Sequence, residues 1–233
     1  MTTLFAAAVA VDAFFAALQS RDLAAVEKML AAEPSLASAK DAKGVSAVAR
    51  ALHASTGEGF LPRRENRVLD AVLARKPQLS GWDVFSVGTA EQVRAALAAD
   101  ASVLRARAGN GWTALHYAAF ADNAAAAAAL LGAGAEVDAR AKNKFDNTPL
   151  QVGMLSQARE AARVLLALGA NPNLKMSEGF TALHEAAANG DVPSIEILLA
   201  AGADQKLLSP DGKSPLDLAR ERKQEAAVKA LQH

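Results

Sequence analysis

Four short segments at nearly equal intervals constrain this chain more than any other feature. Thr113-Ala-Leu-His116, Thr148-Pro-Leu-Gln151, Thr181-Ala-Leu-His184 and Ser214-Pro-Leu-Asp217 recur at a spacing close to 33 residues. The first three are each followed by a second apolar segment ending in Gly-Ala: LLGAGAEVD, LLALGANPN and LLAAGADQK. Two separate signatures recurring in phase define a structural unit of fixed length. A unit that short cannot bury its own apolar stripes, so it must stack on copies of itself.

The residues within a unit predict its shape. Thr113, Thr148 and Thr181 sit where a helix begins, and Pro149 and Pro215 occupy a first helical position, where a missing N–H costs nothing. Leu115, Ala118 and Ala119 give one apolar face to a short helix, and the small alanines let two helices approach closely. Asp191 before Val192-Pro193 marks a second helix start, and Ile195, Leu198 and Leu199 supply the opposite apolar face. Gly202 then ends that helix as a left-handed cap. Each unit reads as helix, tight turn, helix, hairpin.

The pattern closely resembles the ankyrin repeat, with its period of about 33 residues and its T-P-L-H signature. The resemblance runs from Arg107 to the C-terminus and is weaker before it. It implies an all-α ankyrin-repeat solenoid of about seven stacked helix pairs with β-hairpin fingers, in a single domain over 1–233. Residues 1–106 are the divergent repeats with an N-terminal cap, 107–206 the regular repeats, and 207–233 a C-terminal capping repeat. In the divergent half, Leu30–Val48 aligns with Leu97–Leu115 without a gap. Glu33-Pro34-Ser35 and Asp100-Ala101-Ser102 stand in the place of Gly-Ala. Asp22–Val26, Val68–Leu73 and Glu91–Val93 read as second helices, and Thr89 with Gln92 as a capping box. Ala54–Asn66 is an enlarged turn. In the last unit, Arg220–Lys223 replaces the usual Ala-Gly turn, and the second helix is short and polar, as suits a cap.

Composition narrows the chemistry. Formal net charge is zero, which gives no electrostatic reason to expect nucleic acid or an anionic membrane as partner. The absence of cysteine excludes disulfides, thiol nucleophiles and thiolate metal sites. The N-terminal MTTLFAAAVAVDAFFAAL lacks a leading positive charge, and Asp12 interrupts it, so it reads as a helix rather than a secretory segment. The expectation is a cytoplasmic monomer.

His184-Glu185 invites comparison with a zinc-protease helix, but that motif needs a second histidine four residues on, where this chain has Ala188. His116 and His184 share one repeat position. In the resembled family that histidine bonds backbone or the neighbouring threonine and orders the turn. His53 falls in the divergent second unit and reads as a packed or surface residue. Gly132-Ala-Gly134 and Gly57-Glu-Gly59 complete no phosphate loop, and G-x-S-x-G is absent. No catalytic residue, metal or cofactor is expected.

The resemblance assigns binding to hairpin tips and exposed first-helix positions on a concave face. Carried over residue by residue, these are Asn110, Trp112, Phe120, Lys144, Phe145, Asn147, Glu178, Phe180, Asn189 and Lys213. Trp112, Phe120, Phe145 and Phe180 are large apolar groups of the kind that anchor interfaces. The finger Ala139–Asn147 is about two residues longer than the next. The reading is a non-catalytic module presenting a preorganised face to a protein partner. Two other readings stay open: a small-molecule binder or enzyme with a pocket near Gly57–Asn66, and a structural or self-associating protein using the alanine run that follows Asn123.

Overall fold

The computed structural model describes residues 2–53 and 66–232, with side chains of the first helix from Val9 onward. Most of the enlarged turn at Ala54–Asn66, and with it the pocket envisaged there, lies outside the described residues. Fourteen α-helices run in consecutive pairs among those residues. They are α1 (Thr2–Ser20) and α2 (Leu23–Ala32), α3 (Ala47–His53) and α4 (Arg67–Leu73), α5 (Asp83–Val87) and α6 (Ala90–Ala99), and α7 (Ala114–Phe120) and α8 (Ala124–Gly132). Then follow α9 (Pro149–Leu155) and α10 (Arg159–Ala167), α11 (Ala182–Ala188) and α12 (Val192–Ala200), and α13 (Pro215–Glu221) and α14 (Glu225–Ala230). No described helix is long and apolar enough to cross a membrane.

The chain divides into two compact units, Met1–Asp83 and Val84–His233. In the second, first helices stack on first helices (α7, α9, α11, α13) and second helices on second helices (α8, α10, α12, α14). Leu115, Leu150 and Leu183 of the first helices are fully buried, as are Leu130, Leu165 and Leu198 of the second. In the first unit, α1 packs on α3 and α2 on α4, around Phe14, Leu18, Leu30 and Leu69. Leu199, expected in the core, is only half-buried. The buried stripe of α12 runs through Ser194, Ile195 and Leu198, and one further residue turns about 100° away from it.

The helix starts follow capping chemistry. Thr89, Thr148, Thr181 and Ser214 form capping boxes with Gln92, Gln151, His184 and Asp217. Asp22, Asn66, Asn123 and Asp191 cap α2, α4, α8 and α12 through their side chains. The turn inside a pair needs one left-handed residue, and Arg21, Asp122, Gln157, Gly190 and Lys223 fill that place in five pairs. Gly202 ends α12 in the left-handed conformation, as its position predicts.

The fingers are turns rather than β-hairpins, because no strand ladder forms among the described residues. Only Lys40 and Ser46 make an isolated bridge. Four fingers close with one pattern: Asp41–Val45, Ala108–Trp112, Met176–Phe180 and Ser209–Lys213. In each, the first residue donates its N–H to the carbonyl of the last, and the glycine one place earlier donates back to the first carbonyl. That glycine is left-handed in all four, with φ between 74° and 82°. The finger between α8 and α9 closes from Ala141 to Asn147, two residues longer, with Asp146 left-handed in place of glycine.

Candidate protein-binding surface

Successive fingers of the second unit are tied to one another by side chains. Arg107 donates to the Arg140 carbonyl at 2.6 Å, Arg140 to the Lys175 carbonyl at 2.7 Å, and Lys175 to the Leu208 carbonyl at 2.8 Å. One cation per repeat thus satisfies a backbone acceptor one repeat further on. Backbone bonds run alongside: Lys142 N–H to the Gly111 carbonyl at 3.0 Å, and Ser177 N–H to the Phe145 carbonyl at 3.1 Å. The approach is so close that a side chain at Gly111 would meet the Lys142 carbonyl oxygen at 2.4 Å.

The two repeat histidines belong to the same framework. His116 Nδ1 accepts from the Thr113 N–H at 3.2 Å and lies 2.8 Å from the Thr113 hydroxyl. An Nδ1 that accepts leaves the ring proton on Nε2, which donates to the Asn147 carbonyl of the next finger at 3.0 Å. His184 repeats the arrangement with Thr181 and the Lys213 carbonyl. Gln151 makes both bonds as an amide, accepting from Thr148 N–H and donating to the Leu174 carbonyl. Burial holds the His116 ring down to about 4, against the pull of the Asn147 carbonyl and with help from Arg107. His184 is lowered by burial in the same way. In the first unit, burial and then Arg50 hold His53 down to about 4.

The ten expected contact residues divide on this framework. Asn110, Lys144, Glu178 and Asn189 are exposed, and Trp112, Phe180 and Lys213 are half-buried. Phe145 is 43% exposed, with the Lys144 ammonium 4.7 Å from its ring centre. Two residues do not belong to the surface. Phe120 is only 6% exposed, because Trp112 covers it at 5.4 Å between ring centres. Asn147 is 5% exposed, drawn in by its carbonyl, which accepts from both His116 and Ala141. Lys213 is not simply solvated. It pairs with Asp211 at 3.2 Å and Glu221 at 2.5 Å. Trp112 also packs on Tyr117 at 5.3 Å and stacks with His116, and Phe180 meets His184 edge-on at 5.9 Å. Each ring therefore leans on its own repeat while leaving part of its surface open.

Two surface residues of the first helices were not among those ten. Leu155, at the end of α9, is 36% exposed, and Glu185 on α11 is half-buried. Their signal was in the register: Leu155 holds the repeat position of Phe120, and Glu185 that of Tyr117.

Residues 84–176 and 157–233 match the family described as "Ankyrin repeats (3 copies)", together more than half of the chain. Among curated proteins, the chain is 35% identical over 113 residues to the mouse B-cell lymphoma 3 protein homolog, covering 48% of this chain and 25% of that protein. It is 38% identical over 94 residues to mouse cyclin-dependent kinase 4 inhibitor B, covering 40% of this chain and 70% of the relative. It is 33% identical over 144 residues to a Caenorhabditis elegans homolog of transient receptor potential cation channel subfamily A member 1, covering 62% and 12% respectively. Helix pairs, capped threonines, finger-to-finger bonds and these matches lead to one assignment: the chain belongs to the ankyrin-repeat family.

Proposed function

We propose that this protein is a non-catalytic binding module that holds a protein partner on the face built from fingers and first helices between Arg107 and Glu221. Ankyrin repeats are protein-interaction modules. One observation carries the reading to this face: Trp112, Phe145 and Leu155 leave apolar surface open on neighbouring repeats. Clustered apolar groups with a polar surround are what an interface core requires. Around them stand Asn110, Lys144, Glu178 and Asn189 as a polar rim, with Phe180 as a further aromatic. The mechanism is rigid presentation. Cation-to-carbonyl bonds hold each finger against the next, so little ordering entropy remains to be lost on binding. The whole of 1–233 acts as one binding domain without a cofactor, as a cytoplasmic monomer whose partner is neither nucleic acid nor membrane.

The test compares three variants in capture experiments from the source cell. Phe145→Ala and Leu155→Ala should release the captured protein, weakening its affinity by about 2 kcal/mol if either is a central anchor. Leu168→Ala removes a side chain that is also exposed, at the far end of α10, and should retain it. Unfolding of the first two should shift within roughly 0.5 kcal/mol, since their side chains are partly solvated. Equal capture by all three would mean that the partner docks elsewhere.

A further inference from the structure

The first helices stack in the order α7, α9, α11, α13. Counting four residues past each capping residue therefore aligns Tyr117, Val152, Glu185 and Leu218 in one row across the face. Stacked helices lie about 8–10 Å apart, so each step along the row is about that long. The row changes character at its third place. Tyr117 packs beside Trp112, Val152 is buried, and Leu155 opens on the same helix. Glu185 then replaces an apolar side chain with a carboxylate.

That carboxylate is unusual among the acids nearby. Asp146 pairs with Arg140, Asp211 and Glu221 pair with Lys213, and Asp217 bonds Ser214. Glu185 is half-buried, yet its carboxylate makes no hydrogen bond or ion pair among the described residues. Burial, and after it the charge of Glu178 on the neighbouring finger, hold its carboxyl above the ordinary range, with Arg222 opposing. A half-desolvated charge that Arg222 offsets only in part, without an ion pair, costs free energy. One repeat earlier the sign reverses, for Lys144 is exposed over the Phe145 ring and Lys142 is exposed on the same finger.

We infer that this face takes an extended peptide segment that sets an apolar side chain against Trp112, Phe145 and Leu155 and a lysine or arginine against Glu185 and Glu178. The inference rests on the reading above, that this face binds protein. Glu185 lies one repeat on from Leu155 and three positions earlier in its helix, about 10 Å in all, and an extended chain rises about 3.3 Å per residue. The cation therefore follows or precedes the apolar anchor by about three positions. Lys142 and Lys144, on the finger that carries Phe145, repel a cation placed there, so the charge pattern fixes which repeat the cation meets. Charge complementarity of this kind sets specificity and register more than raw affinity.

The experiment uses the full chain and a random peptide display library. Selection on the wild-type protein should enrich peptides in which an aromatic or aliphatic residue stands about three positions from a lysine or arginine. A synthetic peptide of the enriched sequence should bind about tenfold more weakly to Glu178→Gln/Glu185→Gln, and more weakly as salt is raised. In thermal unfolding that double variant should be no less stable than the wild type, since neither carboxylate has a hydrogen bond or ion pair to lose and their mutual repulsion is removed. Phe145→Ala/Leu155→Ala should lose the same peptide. Enriched peptides without a basic residue, or equal binding to the Gln variant, overturn the inference while leaving the face as a binding site. Equal binding to the Phe145/Leu155 variant overturns both. A selection that enriches nothing above a bare surface overturns a linear segment as the occupant.

Discussion

Residues 1–83 and 84–233 build the same helix pair from different letters, and the difference separates what the repeat requires from what its signature adds. In the second unit, Thr113 starts a helix, and His116 reaches from that turn to the next finger. In the first unit, Ser46 caps its helix by accepting from Ala49 N–H, but position four is Ala49 itself and has nothing to reach with. The finger is instead held from inside. Asp41 accepts from Lys43 N–H and Val45 N–H, both at 2.9 Å, and pairs with Arg50. A capped helix and a closed turn are therefore the minimum. The histidine and the cation ladder of Arg107, Arg140 and Lys175 are additions that couple one finger to its neighbour.

The largest effect tests whether the shared minimum is equally well packed in both units. Leu30 in α2 and Leu165 in α10 are both fully buried second-helix leucines. Each substitution to alanine should cost about 2–5 kcal/mol in denaturant unfolding. The two tryptophans fall one in each unit, Trp82 and Trp112, so single-tryptophan versions report the units separately. A much smaller cost for Leu30 would show that the divergent letters also loosen the core.

Acid sharpens the comparison. His116 is neutral and buried when folded, and an exposed histidine titrates near 6.5. Its folded value is the lower of the two, so its effect on stability is nil above about pH 6.5 and grows as pH falls towards about 4. Protonation would also place a proton on Nδ1, which faces the Thr113 N–H. The loss specific to His116 is on the order of 3 kcal/mol over that window. Gln151 shows that an amide can serve in this position, so His116→Gln should match the wild type at pH 7.5 and exceed it at pH 4.5. Unfolding of both proteins at the two pH values checks this. A constant difference between them would mean that the ring is not the titrating group.

The parts of this molecule legible in the sequence were those set by local chemistry. Caps at Thr89, Thr148, Thr181 and Asp191, the left-handed Gly202 and the longer finger between α8 and α9 all depend on neighbours within a few residues. The misplaced residues depended on neighbours in space. Phe120 looked like a surface anchor until Trp112, eight positions earlier, folded over it. Asn147 looked like a tip residue, but its carbonyl is claimed by a histidine one repeat away. Glu185 and Leu155 were readable in principle, because the repeat converts sequence distance into spatial adjacency. Neither is an aromatic ring or a finger-tip residue, so only the register of the first helices marks them.

The smallest effect compares two glycines that occupy the same turn position in the two units. Gly44 and Gly111 are both left-handed, with φ of 76° and 82°. Alanine at either site would bear the strain of that conformation, about 1–2 kcal/mol. Space then distinguishes them. A Cβ at Gly44 meets nothing within 4 Å, whereas at Gly111 it meets the Lys142 carbonyl oxygen at 2.4 Å. Because that contact is backbone, no rotamer change relieves it, and the finger that carries Lys144 and Phe145 must move away. Gly111→Ala should therefore exceed Gly44→Ala by about 1 kcal/mol or more, the cost of displacing a packed backbone. It should also speed amide exchange at Lys142, whose N–H donates to the Gly111 carbonyl. Equal costs with unchanged exchange would show that the fingers of the second unit are held individually, and that the ladder between them contributes no rigidity to the binding face.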